Sequence, residues 1–213
     1  MQPVIIEAAI NGATTKERNP HTPRQPDEIA ADAQANKAML YYYFGNKRRL
    51  HRAVLENLFR QLRKVVYAPP APDAAPRQRL RAWVNGYFDF LATHPNYPRL
   101  VQREAMDATP KIEWIAREYF QPFFKHLTAV ISDGISAGDF REVDPRQTAF
   151  TMLGATAFYF ASAPVMTPIV GHDLLAPHAL EARRRALLDF IEHGLYVLDA
   201  KRITKGSSPA RSQ

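Results

Sequence analysis

The sequence predicts an all-α protein. Apolar residues recur at steps of three and four, the spacing that places them on one face of a helix. No stretch alternates apolar and polar residues for long enough to indicate a sheet. Hydrophobic residues make up 46% of the 213 positions, enough for a substantial buried core. The helical spacing is clearest over four segments: 46–66, 77–93, 111–137 and 178–199.

Three segments interrupt this pattern. Residues 10–26 hold three prolines and few apolar side chains, so we expect them to be irregular rather than packed. Residues 67–76 hold four prolines and are predicted to form a stiff linker. Residues 201–213 are basic and rich in serine, which is typical of a disordered tail. The tail 201–213 is therefore predicted to be a separate unit.

Two of the helical segments have unusual sequences. Pro122 falls inside the pattern of 111–137 and should kink that helix, because proline has no backbone N–H to donate. Residues 147–171 carry no charge, and a membrane span needs roughly 20 mainly apolar residues. Pro164 and Pro168 interrupt this stretch. We expect a helix buried in a core or between subunits, and no contact with a membrane.

Charge is distributed unevenly along the chain. The net charge of +7 divides into +5 over residues 1–66, −2 over residues 67–200 and +4 over the tail. A basic N-terminal segment is typical of a surface that binds a phosphate backbone, although a solvent-exposed charged face would give the same net charge. The chain has no cysteine, which excludes disulfides, thiolate metal sites and a cysteine nucleophile. Without a leader-like N-terminus, we expect a cytoplasmic protein.

Catalytic patterns are weak. Seven histidines are scattered without metal-ligand spacing, and no phosphate-binding glycine loop is present. Glu104 and Asp107 share a helix face, but a solvated pair explains them as well as a catalytic one. We therefore expect no cofactor, no metal ion and no enzymatic activity, with an all-α enzyme kept as a less favoured alternative.

Residues 27–50 predict two short helices and the start of a third. Asp27 and Glu28 suit the first turn of a helix, and small residues after them let two helices approach closely. Asn36 is a suitable cap for the second helix, which ends at Gly45, and Asn46 caps the third.

The second of these helices has an unusual outer face. Leu40 and Phe44 lie four apart and should enter a core, which leaves Lys37, Tyr41 and Tyr42 outside. Phenol hydroxyls and an ammonium group at the front of an exposed helix suit phosphate and base contacts, although tyrosines also occur at the edge of ordinary cores.

The sequence NKAMLYYYFGNK at 36–47, followed by Leu50 and Val54, resembles the recognition-helix signature of the TetR family of bacterial transcriptional regulators. The preceding DEIA at 27–30 resembles the helix before it. The resemblance implies a three-helix helix-turn-helix DNA-binding domain at 1–50 and a helical ligand-binding and dimerisation domain at 51–200. It also implies a homodimer, a near-palindromic double-stranded DNA operator and release by a small apolar effector. The implied DNA-binding residues are Gln34, Asn36, Lys37, Tyr41, Tyr42, Tyr43 and Lys47.

The chain departs from the family pattern at its front. Gln34 and Ala35 stand where the family usually has Gly-Val, and residues 10–26 lack the apolar face of the family's first helix. These departures favour an alternative in which the protein is a dimeric ligand-binding body with impaired or lost DNA binding.

The body supplies material for a ligand chamber and a dimer interface, both implied by the resemblance. Each aromatic residue also suits an ordinary core. The interface candidates are the uncharged helix 147–163, the stripe Leu187, Ile191, Leu195 and Leu198, and the small residues Gly154 and Gly194. The candidate ligand-binding residues are Trp83, Tyr87, Arg103, Phe120, Phe123, Phe150 and Phe158.

Overall fold

A computed structural model of the protein describes residues 1–11, 26–35, 37–67, 73–106 and 110–197. Over these ranges the fold is all-α, as predicted. Residues 10, 11 and 26 of the segment predicted to be irregular are helical, so the prediction was wrong there. The rest of that segment, 12–25, and the tail 201–213 lie outside the described residues. The helices are α1 (Gln2–Asn11), α2 (Pro26–Asp32), α3 (Lys37–Phe44), α4 (Lys47–Val66), α5 (Pro76–Thr93), α6 (Tyr97–Met106), α7 (Pro110–Ile115), α8 (Gln121–Ser136), α9 (Pro145–Val170) and α10 (Pro177–Leu195).

The first four helices form a small cluster. α1 packs against α2 and α4, and α3 packs against the same two helices. The side chain of Ile5 on α1 is fully buried in this cluster, together with Ile29, Leu50 and Val54. Asn46 caps α4 as predicted, since its side-chain oxygen accepts the N–H of Arg49 at 3.0 Å. α4 then continues for 20 residues, so one helix crosses the predicted boundary at residue 50.

α5 is the central helix of the body. It packs against α4, α8, α9 and α10 and buries Trp83, Phe88 and Leu91. α4 approaches α5 closely at Gly86, where an added Cβ would stand 2.5 Å from the carbonyl oxygen of Val65. Only a residue without a side chain fits this crossing.

In place of a simple kink at Pro122, the structure has a π-helical turn, Ala116–Phe120, just before it, between α7 and α8. Because Pro122 has no N–H, the carbonyl of Glu118 loses the donor that an α-helix would supply. The turn widens, and the N–H of Gln121 bonds to the carbonyl of Ala116. The segment predicted as one helix over 111–137 is therefore two helices joined by this turn.

α10 ends earlier than the apolar spacing predicts. The backbone becomes extended at Tyr196, where it forms an isolated bridge with Phe140. The N–H of Arg141 donates to the carbonyl of Leu195 at 2.9 Å, and the N–H of Val197 donates to that of Asp139 at 3.0 Å. These bonds and the stacked rings of Phe140 and Tyr196 replace the last turn of the predicted helix.

α9 exposes a row of apolar side chains, and α10 exposes Phe190. The outer face of α9 presents Phe150, Phe158, Val165 and Ile169, while Met152 and Phe160 pack inward. The predicted interface stripe on α10 does not face outward, because its first three members are buried in the core of this protomer. The fourth, Leu198, lies outside the described residues. The members found buried are Leu187, Ile191 and Leu195.

Candidate DNA-binding and effector sites

The turn between α2 and α3 has a backbone conformation that glycine would adopt more easily. Gln34 has φ 51°, the one positive φ at a non-glycine residue in the described part of the chain. Its N–H donates to the carbonyl of Ala31, and the next N–H, of Ala35, donates to that of Ala30 at 2.8 Å. These bonds hold the turn in the conformation that the family's usual glycine provides at no steric cost.

We expect Gln34→Gly to raise the free energy of unfolding by ~0.5–1 kcal/mol, because it removes the left-handed strain of a side chain. Gln102→Gly, in the middle of α6, should lower it by ~1 kcal/mol. Urea unfolding of both variants measures the difference. Equal losses in both variants would contradict the strain at Gln34.

α3 places its side chains as the sequence predicts. Leu40 and Phe44 are buried against α2 and α4, and the three tyrosines between them are exposed. Tyr42 projects furthest, with 83% of its surface exposed, and its ring meets that of Tyr43 edge-on at 5.2 Å. A helix held by two apolar anchors therefore exposes Tyr41, Tyr42 and Tyr43 to solvent around its outer side.

Cations flank this face along the chain. Lys37 begins α3 and Lys47 begins α4; Asn36 lies outside the described residues. Sequence reasoning missed Arg49, whose exposed guanidinium reaches back over Gly45 at the end of α3. The signal was present in the run Lys47-Arg48-Arg49, which follows soon after the glycine. An arginine in the first turn of α4 suits a phosphate group.

Three of the predicted ligand-binding aromatics meet in one place. The rings of Trp83, Tyr87 and Phe123 lie 5.0–5.4 Å apart and form a triangle between α5 and α8. The indole N–H of Trp83 and the hydroxyl of Tyr97 are buried without a hydrogen-bond partner. Burial raises the pKa of Tyr87 and of Tyr97 above the ordinary value, so both phenols stay neutral.

Four candidates for the ligand chamber lie elsewhere. Phe150 and Phe158 are 62% and 67% exposed on the outer face of α9, so they do not line the interior of this protomer. Arg103 is exposed in the last turn of α6. Phe120 packs edge-on against the buried Phe59 at 5.5 Å. Apolar spacing cannot tell an inward from an outward phenylalanine on a helix that is apolar all round.

The described residues offer no site for a metal ion, since no three His, Asp or Glu side chains come together there. Asp107, half of the candidate carboxylate pair, lies outside them. Among the helices described, α9 is long and apolar enough to span a membrane by length and composition alone. Its inner side packs against α6, α8 and α5, as a helix of a folded helical body does.

An exposed helix packed on two supporting helices and followed by a larger helical body is the arrangement found in helix-turn-helix regulators. A family model described as the tetracyclin repressor-like C-terminal domain matches residues 76–191. The HTH-type transcriptional repressor SCO4008 of Streptomyces coelicolor is 30% identical over 166 residues, which cover 75% of this chain and 82% of that protein. The chain belongs to the TetR family of transcriptional regulators.

Solved structures show the same fold. The TetR-family regulator PfmR of Thermus thermophilus has a TM-score of 0.69 and 19% identity, covering 88% of this chain and 96% of its own. FadR of Bacillus subtilis, solved in complex with stearoyl-CoA, has a TM-score of 0.67 and 19% identity, covering 90% and 97%. All-α architecture with a helix-turn-helix front is thus confirmed.

A second family model, described as beta-keto acid cleavage enzyme, matches residues 3–38. This segment covers α1, α2 and the first residues of α3. It contains Gln34 and the proline-rich stretch, where the chain departs from the TetR pattern. Residues 3–38 therefore match a second family model, while positions 27–30 of the same segment resemble the TetR pattern.

Proposed function

We propose that this chain is a ligand-responsive transcriptional repressor, without enzymatic activity, that acts in the cytoplasm. It binds a near-palindromic DNA operator as a homodimer and releases it when a small apolar effector binds. The observation that carries the proposal is the outward face of α3, where Tyr41, Tyr42 and Tyr43 stand exposed above the buried Leu40 and Phe44. Phenol hydroxyls on such a helix suit base edges and phosphates in the major groove.

The proposal divides the chain into three units. Residues 1–50 read DNA, residues 51–200 bind the effector and the second copy, and the basic tail 201–213 is a disordered extension. α4 belongs to both folded units, because it packs against α1 and α3 as well as against α5. Among the described helices, α4 therefore offers a route by which movement in the body reaches α3.

A second copy of this chain is the proposed partner for the outer face of α9. Four large apolar side chains are exposed to solvent there. An exposed apolar patch of this kind is typical of a protein–protein contact surface. Gly154, on the same helix, has nothing within 4 Å of an added Cβ and would allow close approach of a facing helix. A two-fold contact would cover this face with its own equivalent.

The proposed effector site is the aromatic triangle of Trp83, Tyr87 and Phe123. Its buried donors, the indole N–H of Trp83 and the hydroxyl of Tyr97, have no partner and would gain one from a polar atom of the effector. FadR, one of the relatives by fold, was solved with stearoyl-CoA. An apolar molecule with one or two hydrogen-bond acceptors fits this environment.

Lys37→Ala and Lys47→Ala test the DNA contact. An operator is first selected from random duplexes, and its affinity is then measured over a range of salt concentrations. Each variant should weaken binding to all sequences and lower the slope of log affinity against log salt by about one, because one phosphate contact is lost. Lys125→Ala, an exposed lysine on α8, is the control and should leave the slope unchanged. An unchanged slope in the first two variants would remove these lysines from the interface.

A second candidate function is a dimeric ligand-binding protein that has lost operator binding. The match of residues 3–38 to a different family favours it, since this segment supplies both helices that precede α3 in its cluster. The same selection separates the two functions. Enrichment of a two-half-site sequence supports the repressor, and no enrichment by a folded dimer supports the second candidate.

A further inference from the structure

An open cleft of about 510 Å³ lies where the C-terminal half of α4 passes the π-helical turn. It is separate from the aromatic triangle of the body, because it shares no lining residue with it. Its lining residues are Glu56, Arg60, Arg63, Lys64, Tyr67, Glu118 and Tyr119. We name this surface the α4 cleft.

Three cations line one side of the α4 cleft. Arg60, Arg63 and Lys64 are exposed, and the latter two lie three and four residues after the first, so they share a face of α4. Among the described residues none of the three forms an ion pair. Glu56, by contrast, is already paired with Arg52 at 2.8 Å. The cleft therefore offers more free positive than negative charge.

Two tyrosine side chains, Tyr67 and Tyr119, line the cleft. The ring of Tyr119 stacks on the buried Phe59, with centroids 4.3 Å apart and an interplanar angle of 9°. This contact fixes the plane of Tyr119. The hydroxyl oxygen of Tyr67 is buried and has no hydrogen-bond partner. Burial raises the pKa of both phenols, so at neutral pH they remain neutral donors.

The π-helical turn is an independent sign of function. Such turns are rare and occur often at functional sites, since the wider turn displaces side chains from the helical register. Here the turn carries Glu118 and Tyr119, the two residues that close the cleft opposite α4. Pro122 makes the turn a permanent feature of the chain.

We propose that the α4 cleft binds a planar aromatic monocarboxylate. Its ring packs against Tyr119, and its carboxylate meets Arg60 and Lys64. A doubly charged phosphate suits the cleft less well, because the carboxylates of Glu56 and Glu118 line it as well. The proposal adds a second ligand site to the one in the aromatic triangle, and it rests on the proposed function only for the effect on DNA.

The test is binding of 2-naphthoate to the full chain, measured by calorimetry in the absence of DNA. Arg60→Gln and Lys64→Gln should each weaken binding about fivefold, the effect of one partly exposed ion pair. Arg185→Gln, an exposed arginine on α10, should leave binding unchanged. The neutral 2-naphthamide and inorganic phosphate should both bind more weakly than 2-naphthoate, because each lacks one of the two required features.

Three results would overturn the proposal. They are no saturable binding of 2-naphthoate, equal binding of 2-naphthamide, and an affinity that responds to Phe123→Leu in the body but not to Arg60→Gln. Loss of operator binding would not affect it, since no DNA is present in the measurement. A sound operator complex with no naphthoate binding would in turn leave the proposed function intact.

Discussion

Gly86→Ala is expected to destabilise the protein by ~2–3 kcal/mol, a large part of the stability of an ordinary domain. An added Cβ at Gly86 would stand 2.5 Å from the carbonyl oxygen of Val65 and 3.1 Å from its carbonyl carbon. Both are backbone atoms inside α4, so no side-chain rotation relieves the clash. α4 and α5 must instead separate, which loosens the contact that joins the DNA-binding helices to the body.

The matched control is the same substitution at Gly154. That residue also lies inside a helix, but an added Cβ meets nothing within 4 Å. Alanine favours a helix more than glycine does, so Gly154→Ala should be neutral or stabilise by up to ~1 kcal/mol. Denaturant unfolding of both variants gives the comparison. Equal stability of the two variants would show that α4 and α5 do not cross at Gly86.

Phe158→Glu is expected to convert the proposed dimer into a monomer. Phe158 stands 67% exposed near the middle of the outer face of α9. In a two-fold interface every residue enters twice, so one substitution places two carboxylates in an apolar contact. We expect the dimer dissociation constant to rise more than ~100-fold, since burying an unpaired charge costs several kcal/mol. Sedimentation velocity over a range of concentrations measures this change.

Gln102→Glu controls for added charge, because Gln102 is exposed on α6 rather than on the outer face of α9. It should leave the dimer intact. The proposed interface would be ruled out if the Phe158→Glu protein sediments as a dimer at the same concentrations as the unchanged protein. Operator affinity should fall together with dimerisation, since a monomer holds only one half-site.

Short-range sequence features predicted the position and orientation of α3 correctly. A capping Asn46, a terminating Gly45 and two apolar residues four apart were enough to orient α3 and to expose its tyrosines. The turn at Gln34 was also visible in the sequence, because a family glycine is replaced there. Each of these features depends on residues within four or five positions of one another, which is the range over which helical spacing and capping act.

Longer-range features could not be predicted in the same way. The outward direction of Phe150 and Phe158 depends on how α9 packs against α6 and α8, and α9 is apolar on every side. The end of α10 depends on pairing with Phe140, more than fifty residues away in the chain. The α4 cleft joins residues of α4 to a turn about sixty positions later, so no local pattern indicates it.

The length of α4 has a mechanical consequence. Its 20 residues span about 30 Å, and the DNA-binding helices are attached near one end while the body holds the other. A rotation of α4 about its body end therefore displaces its other end. A tilt of about 5° at the body end displaces the far end by about 2.6 Å, and two-fold symmetry makes the change in distance between the two recognition helices up to twice as large. In the proposed dimer, an effector that tilts α4 by a few degrees would thus change the spacing of the two recognition helices by several ångströms.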